Sequence, residues 1–204
     1  MALITWRQFA PLIPHVDVVR FWDLAGTAPT KQNRDPDWTA GTLAAFHPDT
    51  ARFYLVRVNR DRLPPPKTIR FIRHCAEVDD MLFDREVPIR IERPAAEGGQ
   101  YTAESFYRAF PGRDLAFRIP KGSKPARAQP VATAGEAGRW DVVEGPWDQD
   151  AFWDEVDLFP DGEHDDQVDS WSGAAKELRD RNAVHDAAPE TVEDDGDVHD
   201  LSGW

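Results

Sequence analysis

The apolar residues of this chain occur in short runs separated by turn-forming residues. The first three runs predict strands at residues 18–27, 38–46 and 53–59, because each is rich in β-branched or large apolar side chains. The second and third runs are joined by the turn-forming sequence His47-Pro48-Asp49-Thr50. The chain is therefore predicted to open with a β-meander.

Helical periodicity begins after the Pro64-Pro65-Pro66 triplet, which ends the meander. Apolar side chains recur at helical spacing from Ile69 to Val78, which predicts a helix. Further strands are predicted at residues 87–92, 114–120 and 140–143, and further helices at residues 102–110, 131–138, 152–159 and 166–178, with a basic loop at 121–130. A meander followed by alternating helices and strands predicts the α/β class, with a mixed central β-sheet flanked by helices on both faces.

The length of 204 residues suits one hydrophobic core. We expect a lead-in at residues 1–17, one domain at 18–180 and a disordered acidic tail at 181–204, because residues 182–204 contain seven acids and no Lys or Arg. There is no apolar run of about 18 residues and no secretory signal pattern at the start, so we expect a protein that is neither membrane-bound nor secreted.

The two signs of charge are segregated along the chain. Residues 1–140 contain 21 Lys and Arg against 16 Asp and Glu, a net charge of +5, whereas residues 141–204 contain 3 against 21, a net charge of −18. The first part could therefore face a polyanion, which the overall net charge of −13 conceals.

Carboxylates stand where predicted elements end or begin. Asp23 and Glu92 each close a strand-like run, at the edge of the sheet where ligands bind in open α/β folds. Taken alone, Asp23 could equally be a turn-forming acid, and Glu92 could form a surface salt bridge with Arg90 or Arg93.

An acid cluster opens the last predicted helix. Asp165 and Asp166 lie at its start, and Asp169 follows one turn later on the same side. Helix capping accounts for one of these acids, since negative charge is favoured at a helix N-terminus, but it does not account for the whole cluster. His164 is a possible accessory ligand or proton carrier, although its position alone is that of a surface residue.

If these acids converge, they would supply oxygen ligands for two divalent cations roughly 3.5–4 Å apart, the arrangement that phosphoryl transfer requires. Cys75 is the only cysteine, which excludes an internal disulfide and a thiolate zinc site. Hard cations, Mg²⁺ or Mn²⁺, fit such a site best.

Basic residues that could contact DNA phosphates lie in two predicted loops. Lys121, Lys124 and Arg127 belong to the loop at 121–130, and Lys31 and Arg34 follow the first strand. The alternative is that these are ordinary solvated loops.

Taken in order, the segments of this chain resemble the C-terminal nuclease domain of the large terminase subunit of tailed bacteriophages, which has an RNase H-like fold. The segments that carry the resemblance are Phe21 to Thr27, Asp37 to Gly41, Ile91-Glu92 with Gly98-Gly99, Lys124 to Pro130, Gly145-Pro146-Trp147, and Phe159-Pro160 with His164 to Asp169. Each is weak alone, but their order and spacing are specific over residues 18–178.

The resemblance implies a Mg²⁺- or Mn²⁺-dependent endonuclease that cuts concatemeric double-stranded DNA during genome packaging in the host cell cytoplasm. Asp23, Glu92, Asp165 and Asp166 would be its catalytic metal ligands. It also implies partners, namely the terminase ATPase domain, the portal and the small terminase subunit. The Gly-x-x-x-x-Gly-Lys-Ser/Thr phosphate loop of an ATPase does not occur, so no ATP site is expected in this chain.

Two other interpretations stay open on the sequence. One is another RNase H-like nuclease of the resolvase or transposase type. The other is a non-catalytic packaging module that binds the portal or the small terminase subunit through the acidic tail, because charged flexible segments are common interaction arms.

Overall fold

The computed structural model describes residues 1–26, 30, 35–92 and 103–186, with side chains described as far as residue 183. The strands are β1 (Ala2–Ile4), β2 (Asp17–Asp23), β3 (Thr39–His47), β4 (Arg52–Asp61), β5 (Ile89–Glu92), β6 (Leu115–Arg118) and β7 (Trp140–Val143). The helices are α1 (Trp6–Phe9), α2 (Pro65–Phe83), α3 (Ala103–Ala109), α4 (Lys124–Glu136), α5 (Gln149–Leu158) and α6 (Asp166–Asp186), with short 3₁₀ helices at Ala10–His15 and Pro48–Thr50.

The seven strands form one mixed sheet in the order β1-β7-β4-β3-β2-β5-β6. The predicted meander is its centre, because β3 pairs antiparallel with both β2 and β4. The other pairings are parallel, including those of β2 with β5 and of β5 with β6. The predicted α/β class with a mixed sheet is confirmed.

Helices cover both faces of this sheet, because side chains alternate along β2. Phe21 packs with Trp171 of α6 and Phe152 of α5 on one face. Trp22 packs with Ile72 of α2 and Phe106 of α3 on the other. Both sheet faces are therefore apolar and both are buried.

Two glycines allow the close packing around β2. A Cβ on Gly173 of α6 would lie 2.2 Å from the Phe21 ring, and a Cβ on Gly41 of β3 would lie 2.4 Å from the Trp22 ring. Only a residue without a side chain fits at either point. Gly173 therefore determines how closely α6 approaches the central strand.

A buried ion pair fixes α2 against the same strand. The guanidinium of Arg20 donates to both Asp79 oxygens, at 2.8 and 2.7 Å, and to the carbonyl of Gly41 at 2.8 Å. Both side chains are almost fully buried. Removal of one partner would leave an unpaired buried charge, so the pair constrains the position of α2.

The structure differs from the predictions at both ends of the chain. Ala2–Ile4 of the predicted lead-in forms β1, which pairs parallel with β7. The last helix continues to Asp186, past its predicted end at residue 178. Arg181 pairs with Asp17 at 2.8 Å in this extension. The rest of the predicted acidic tail, residues 187–204, lies outside the described residues.

The predicted basic loop at 121–130 is wrong from Lys124 onward, where α4 begins. The Ser123 hydroxyl caps the helix by accepting from the Ala126 amide at 3.4 Å. Pro125 lies in the first turn, where the missing amide donor has no intrahelical partner to lose. Pro130 lies within the helix. The two prolines favoured a loop in the sequence, whereas both belong to α4.

Among the described residues, none of the helices has the length and apolar character needed to cross a membrane.

Replacement of Gly173 by Ala should lower the free energy of unfolding by about 1–3 kcal/mol, because the added methyl group would displace either the buried Phe21 ring or helix α6. Urea denaturation measures this change. Gly135→Ala in α4 is the matched control, since its Cβ would meet only the Met1 Cε at 3.9 Å. That control should be neutral or stabilising by up to about 1 kcal/mol. Equal stability of the two variants would contradict the close packing of α6.

Candidate active site

The pairing of β2 with β5 brings two acids to one edge of the sheet. Trp22 is in register with Ile91 in this parallel pair, and the next residues along the strands are Asp23 and Glu92. Since side chains alternate, both acids belong to the face opposite Trp22 and Ile91, which is the face covered by α6. The sequence prediction that these acids stand together at strand ends agrees with this geometry.

Helix α6 brings further acids to the same edge through residues spaced four apart. Glu177 bonds to Arg90 of β5 at 2.7 Å, and Gly173 lies on Phe21 of β2. Asp169 follows one turn nearer the start of the helix, and its amide donates to the carbonyl of Asp165 at 2.8 Å. One stripe of α6 thus runs along the sheet face and ends in two carboxylates near Asp23 and Glu92.

Two cations from α4 lie among these carboxylates. The Lys124 ammonium donates to both oxygens of Asp165 at 2.7 Å and lies 3.4 Å from Asp169 Oδ2. Arg127 Nη2 donates to Asp169 Oδ1 at 2.9 Å and lies 3.8 Å from Glu92 Oε1. Both cations therefore face the acids instead of standing in a free loop.

The electrostatics of this cluster show how strongly the carboxylates affect one another. Burial raises the pKa of Asp23 well above its ordinary value, and the negative charges of Glu92, Asp166 and Asp169 raise it further. Burial also raises the pKa of Glu92, although the Arg127 charge opposes the change. Asp23 therefore lies within electrostatic range of acids from β5 and α6.

Lys124 shows the complementary effect. Burial acts to lower its pKa, but the hydrogen bond to Asp165 and the charge of Asp169 outweigh burial and raise it. The ammonium is thus held in its charged form by the acids around it.

Asp166 lies to one side of this group. One of its carboxylate oxygens accepts from the Trp38 amide at 2.8 Å. Burial raises its pKa to about 7 against the effect of that hydrogen bond. The predicted pair Asp165 and Asp166 therefore has two different surroundings, and Asp169, which the sequence indicated only as accessory, lies beside Asp165.

Ligand atoms close enough to share one ion occur on the Asp166 side. In the described part of the chain, two groups have such atoms within 4.8 Å of one another: Asp37, His164 and Asp166, and Asp35, Glu163 and His164. Asp23, Glu92, Asp165 and Asp169 form no such group, and the Lys124 ammonium lies between two of them. The ammonium therefore stands between carboxylate oxygens, which are the kind of ligand that hard divalent cations prefer.

An aromatic residue and two arginines lie beside Asp166, and the sequence did not indicate any of them as site residues. Two guanidinium groups lie against the Trp38 ring, with the Arg62 Cζ 3.9 Å and the Arg60 Cζ 4.5 Å from its centroid. Arg62 also contacts His164 Nε2 at 3.0 Å. Arg62 and His164 are 102 positions apart in the chain, so no local pattern indicates the grouping.

The other residues predicted from the sequence are the basic residues of the two loops and the possible partners of Glu92. Lys121 is exposed next to α4. Lys31 and Arg34 lie outside the described residues, as does Arg93. The alternative pairing of Glu92 with Arg90 does not occur, because Arg90 bonds to Glu177 at 2.7 Å and to Asp114 at 2.8 Å.

Comparison with known proteins gives a consistent assignment. The nuclease domain of the P22 large terminase is similar in structure, with a TM-score of 0.54 and 14% identity over 82% of each chain. The human cytomegalovirus terminase nuclease domain has a TM-score of 0.58 and 10% identity, over 89% of this chain and 98% of that one. No match was found among proteins of curated function. The sequence model of the terminase RNaseH-like domain matches residues 20–177. The chain belongs to the terminase RNaseH-like domain family, as its motifs and its sheet both indicated.

Proposed function

We propose that this chain is a metal-dependent endonuclease domain of a phage DNA-packaging terminase, which cuts concatemeric double-stranded DNA with little sequence specificity. The observation that carries the proposal is a group of four carboxylates at one sheet edge. Asp165 and Asp169 lie at the Lys124 ammonium, and Asp23 and Glu92 lie within electrostatic range of it. Membership of the family supports the nuclease assignment.

In this proposal the acids form two metal-binding groups. Asp23 and Glu92, on rigid neighbouring strands, would hold one Mg²⁺ or Mn²⁺, and Asp165 and Asp169 would complete its ligands from α6. Asp166, with Asp37 and His164, would hold a second cation, since their ligand atoms lie within 4.8 Å of one another. Bound divalent ions would supply charge stabilisation at the phosphate and a more acidic water.

The residues of the chain itself orient these groups. Arg127 holds Asp169 and lies near Glu92, which fixes two ligands from different elements relative to each other. Trp38 fixes one Asp166 oxygen through its amide. A cation held by Asp165 and Asp169 would take the place of the Lys124 ammonium, which would then be available for a DNA phosphate.

The DNA contacts in this proposal are contacts to phosphates. Lys121, Lys124 and Arg127 form a basic surface at the start of α4, and Lys31 and Arg34 remain predicted members of it. Contacts of this kind position the duplex without reading its sequence. ATP hydrolysis is assigned to a terminase ATPase domain, and the portal and the small terminase subunit are the further partners that packaging in the host cytoplasm implies.

Replacement of Asp23 by Asn should lower the rate of plasmid cleavage by about 100-fold or more, because loss of a shared metal ligand removes several kcal/mol of transition-state stabilisation. Supercoiled plasmid in Mg²⁺ or Mn²⁺ is the substrate, and EDTA should abolish wild-type cleavage. Asp49→Asn, an exposed acid in the β3–β4 turn, is the matched control and should cut normally. Full activity of Asp23→Asn, or cleavage in EDTA, would refute the proposal.

Replacement of Lys124 by Ala should tighten Mn²⁺ binding about two- to fivefold, because the cation no longer competes with the ammonium. The Lys124 side chain is 50% exposed, and an ion pair of that exposure contributes up to about 1 kcal/mol. Isothermal titration of the full chain without DNA measures the affinity.

Lys67→Ala is the control for this measurement, since Lys67 is an exposed lysine of α2 on the opposite face of the sheet. It should leave Mn²⁺ affinity unchanged. Weaker Mn²⁺ binding in Lys124→Ala than in wild type would show that the ammonium does not occupy the cation position.

A further inference from the structure

A pocket opens beside the candidate active site, between α6 and the segment that joins β6 to α4. Its volume is about 370 Å³, and Glu92 and Arg127 form part of its wall. Glu92 is one of the carboxylates of the candidate active site, and Arg127 bonds to another, Asp169. The pocket and the candidate active site are therefore continuous. A ligand in the pocket would lie directly next to whatever the carboxylates act on.

The walls of this pocket combine flat apolar surface with a polar group. Phe21, Ile119 and Pro120 contribute the apolar part, and Phe117 borders the pocket while its ring packs on Phe106 and Tyr107 of α3. Ser172 also lines it, and its buried hydroxyl has no hydrogen-bond partner among the described residues. Aromatic and aliphatic walls with a few polar groups suit a planar heterocycle that carries hydrogen-bonding edges.

The charges at the pocket favour an anionic ligand. Two acids line the pocket, Glu177 and Asp180, and each forms an ion pair, with Arg118 and Lys176 respectively. Their negative charges are therefore balanced and do not repel an anion. Lys121, in contrast, forms no ion pair with any described residue. An unpaired cation at an apolar pocket next to Arg127 is suited to a phosphate attached to the heterocycle.

We propose that this pocket receives one unpaired nucleotide of the substrate strand, adjacent to the phosphate that is cut. The base would lie against Ile119 and Pro120 with its edge towards the Ser172 hydroxyl, and its phosphate would contact Lys121. This inference rests on the proposed nuclease function and adds to it a requirement for local unpairing.

Unpairing follows from the shape of the pocket. A base within a duplex is stacked and cannot enter a side pocket unless it leaves the stack. The cost of leaving is smallest for a mismatched base. Duplexes with a single mismatch should therefore bind more tightly than fully paired duplexes of the same length.

The test measures binding of the full chain to a duplex that carries 2-aminopurine, either paired or at a central mismatch, in EDTA so that cleavage does not interfere. Wild type should bind the mismatched duplex at least about fivefold more tightly, with a change in 2-aminopurine emission, since contacts with one unstacked base have effects of this size. Ile119→Ala, at a side chain that is 66% exposed and so dispensable for folding, should reduce this preference at least threefold.

Leu158→Ala is the matched control, because Leu158 is an apolar residue of similar exposure, 62%, on α5. It should retain the full preference. Lys121→Ala should weaken binding of both duplexes equally, because it would remove a phosphate contact and no base contact.

The outcomes separate this inference from the function on which it rests. DNA binding without mismatch preference, or an unchanged preference in Ile119→Ala, overturns the nucleotide pocket alone. Mismatch preference in a chain that does not cut plasmid with Mg²⁺ or Mn²⁺ supports the pocket and overturns the proposed catalysis. Absence of DNA binding overturns both.

Discussion

The repulsion among carboxylates at one edge of the sheet is the constraint around which this molecule is organised. Asp23, Glu92, Asp165 and Asp169 come from β2, β5 and the start of α6, and burial raises the pKa of Asp23 and Glu92. Such closeness is tolerable only with cations nearby. Lys124 and Arg127 meet that need from α4, so the position of α4 follows from the charge of the site.

The rest of the fold holds these charges in place. Gly173 lets α6 lie directly on Phe21, and Glu177, one turn further, bonds to Arg90 of β5 and to Arg118 of β6. One helix is thereby tied to three neighbouring strands. On the other face, the buried pair of Arg20 and Asp79 ties α2 to β2. The strand that ends in Asp23 is therefore fixed from both sides.

The sequence predicted what depends on local pattern. Alternating and periodic apolar positions predicted β2 to β7 and most helices, and the acids at the ends of β2 and β5 predicted that carboxylates meet at one edge of the sheet. It did not predict β1, because a three-residue strand has too little pattern. It placed the first half of α4 in a loop, because Pro125 and Pro130 are ordinary loop residues, and only the Ser123 cap with proline in the first turn indicates otherwise.

The choice among the acids of α6 could not be made from spacing alone. Asp165, Asp166 and Asp169 all fall within one turn, and which of them faces β2 depends on how the helix is rotated on the sheet. That rotation is set by distant contacts: Gly173 on Phe21, and the Ser170 hydroxyl 2.8 Å from that of Thr42. These contacts direct Asp165 and Asp169 towards Lys124 and Asp166 towards Trp38.

The position of Lys124 would link metal binding to DNA binding in the proposed function. While the ammonium pairs with Asp165, it offsets the repulsion that would otherwise destabilise the folded chain. A divalent cation offsets the same repulsion more effectively, because it carries two charges and accepts several oxygen ligands at once. In the proposed function, displacement of Lys124 would add a cation to the phosphate contacts of Lys121 and Arg127 when metal binds. One side chain would thus pair with Asp165 in the absence of metal and contact DNA in its presence.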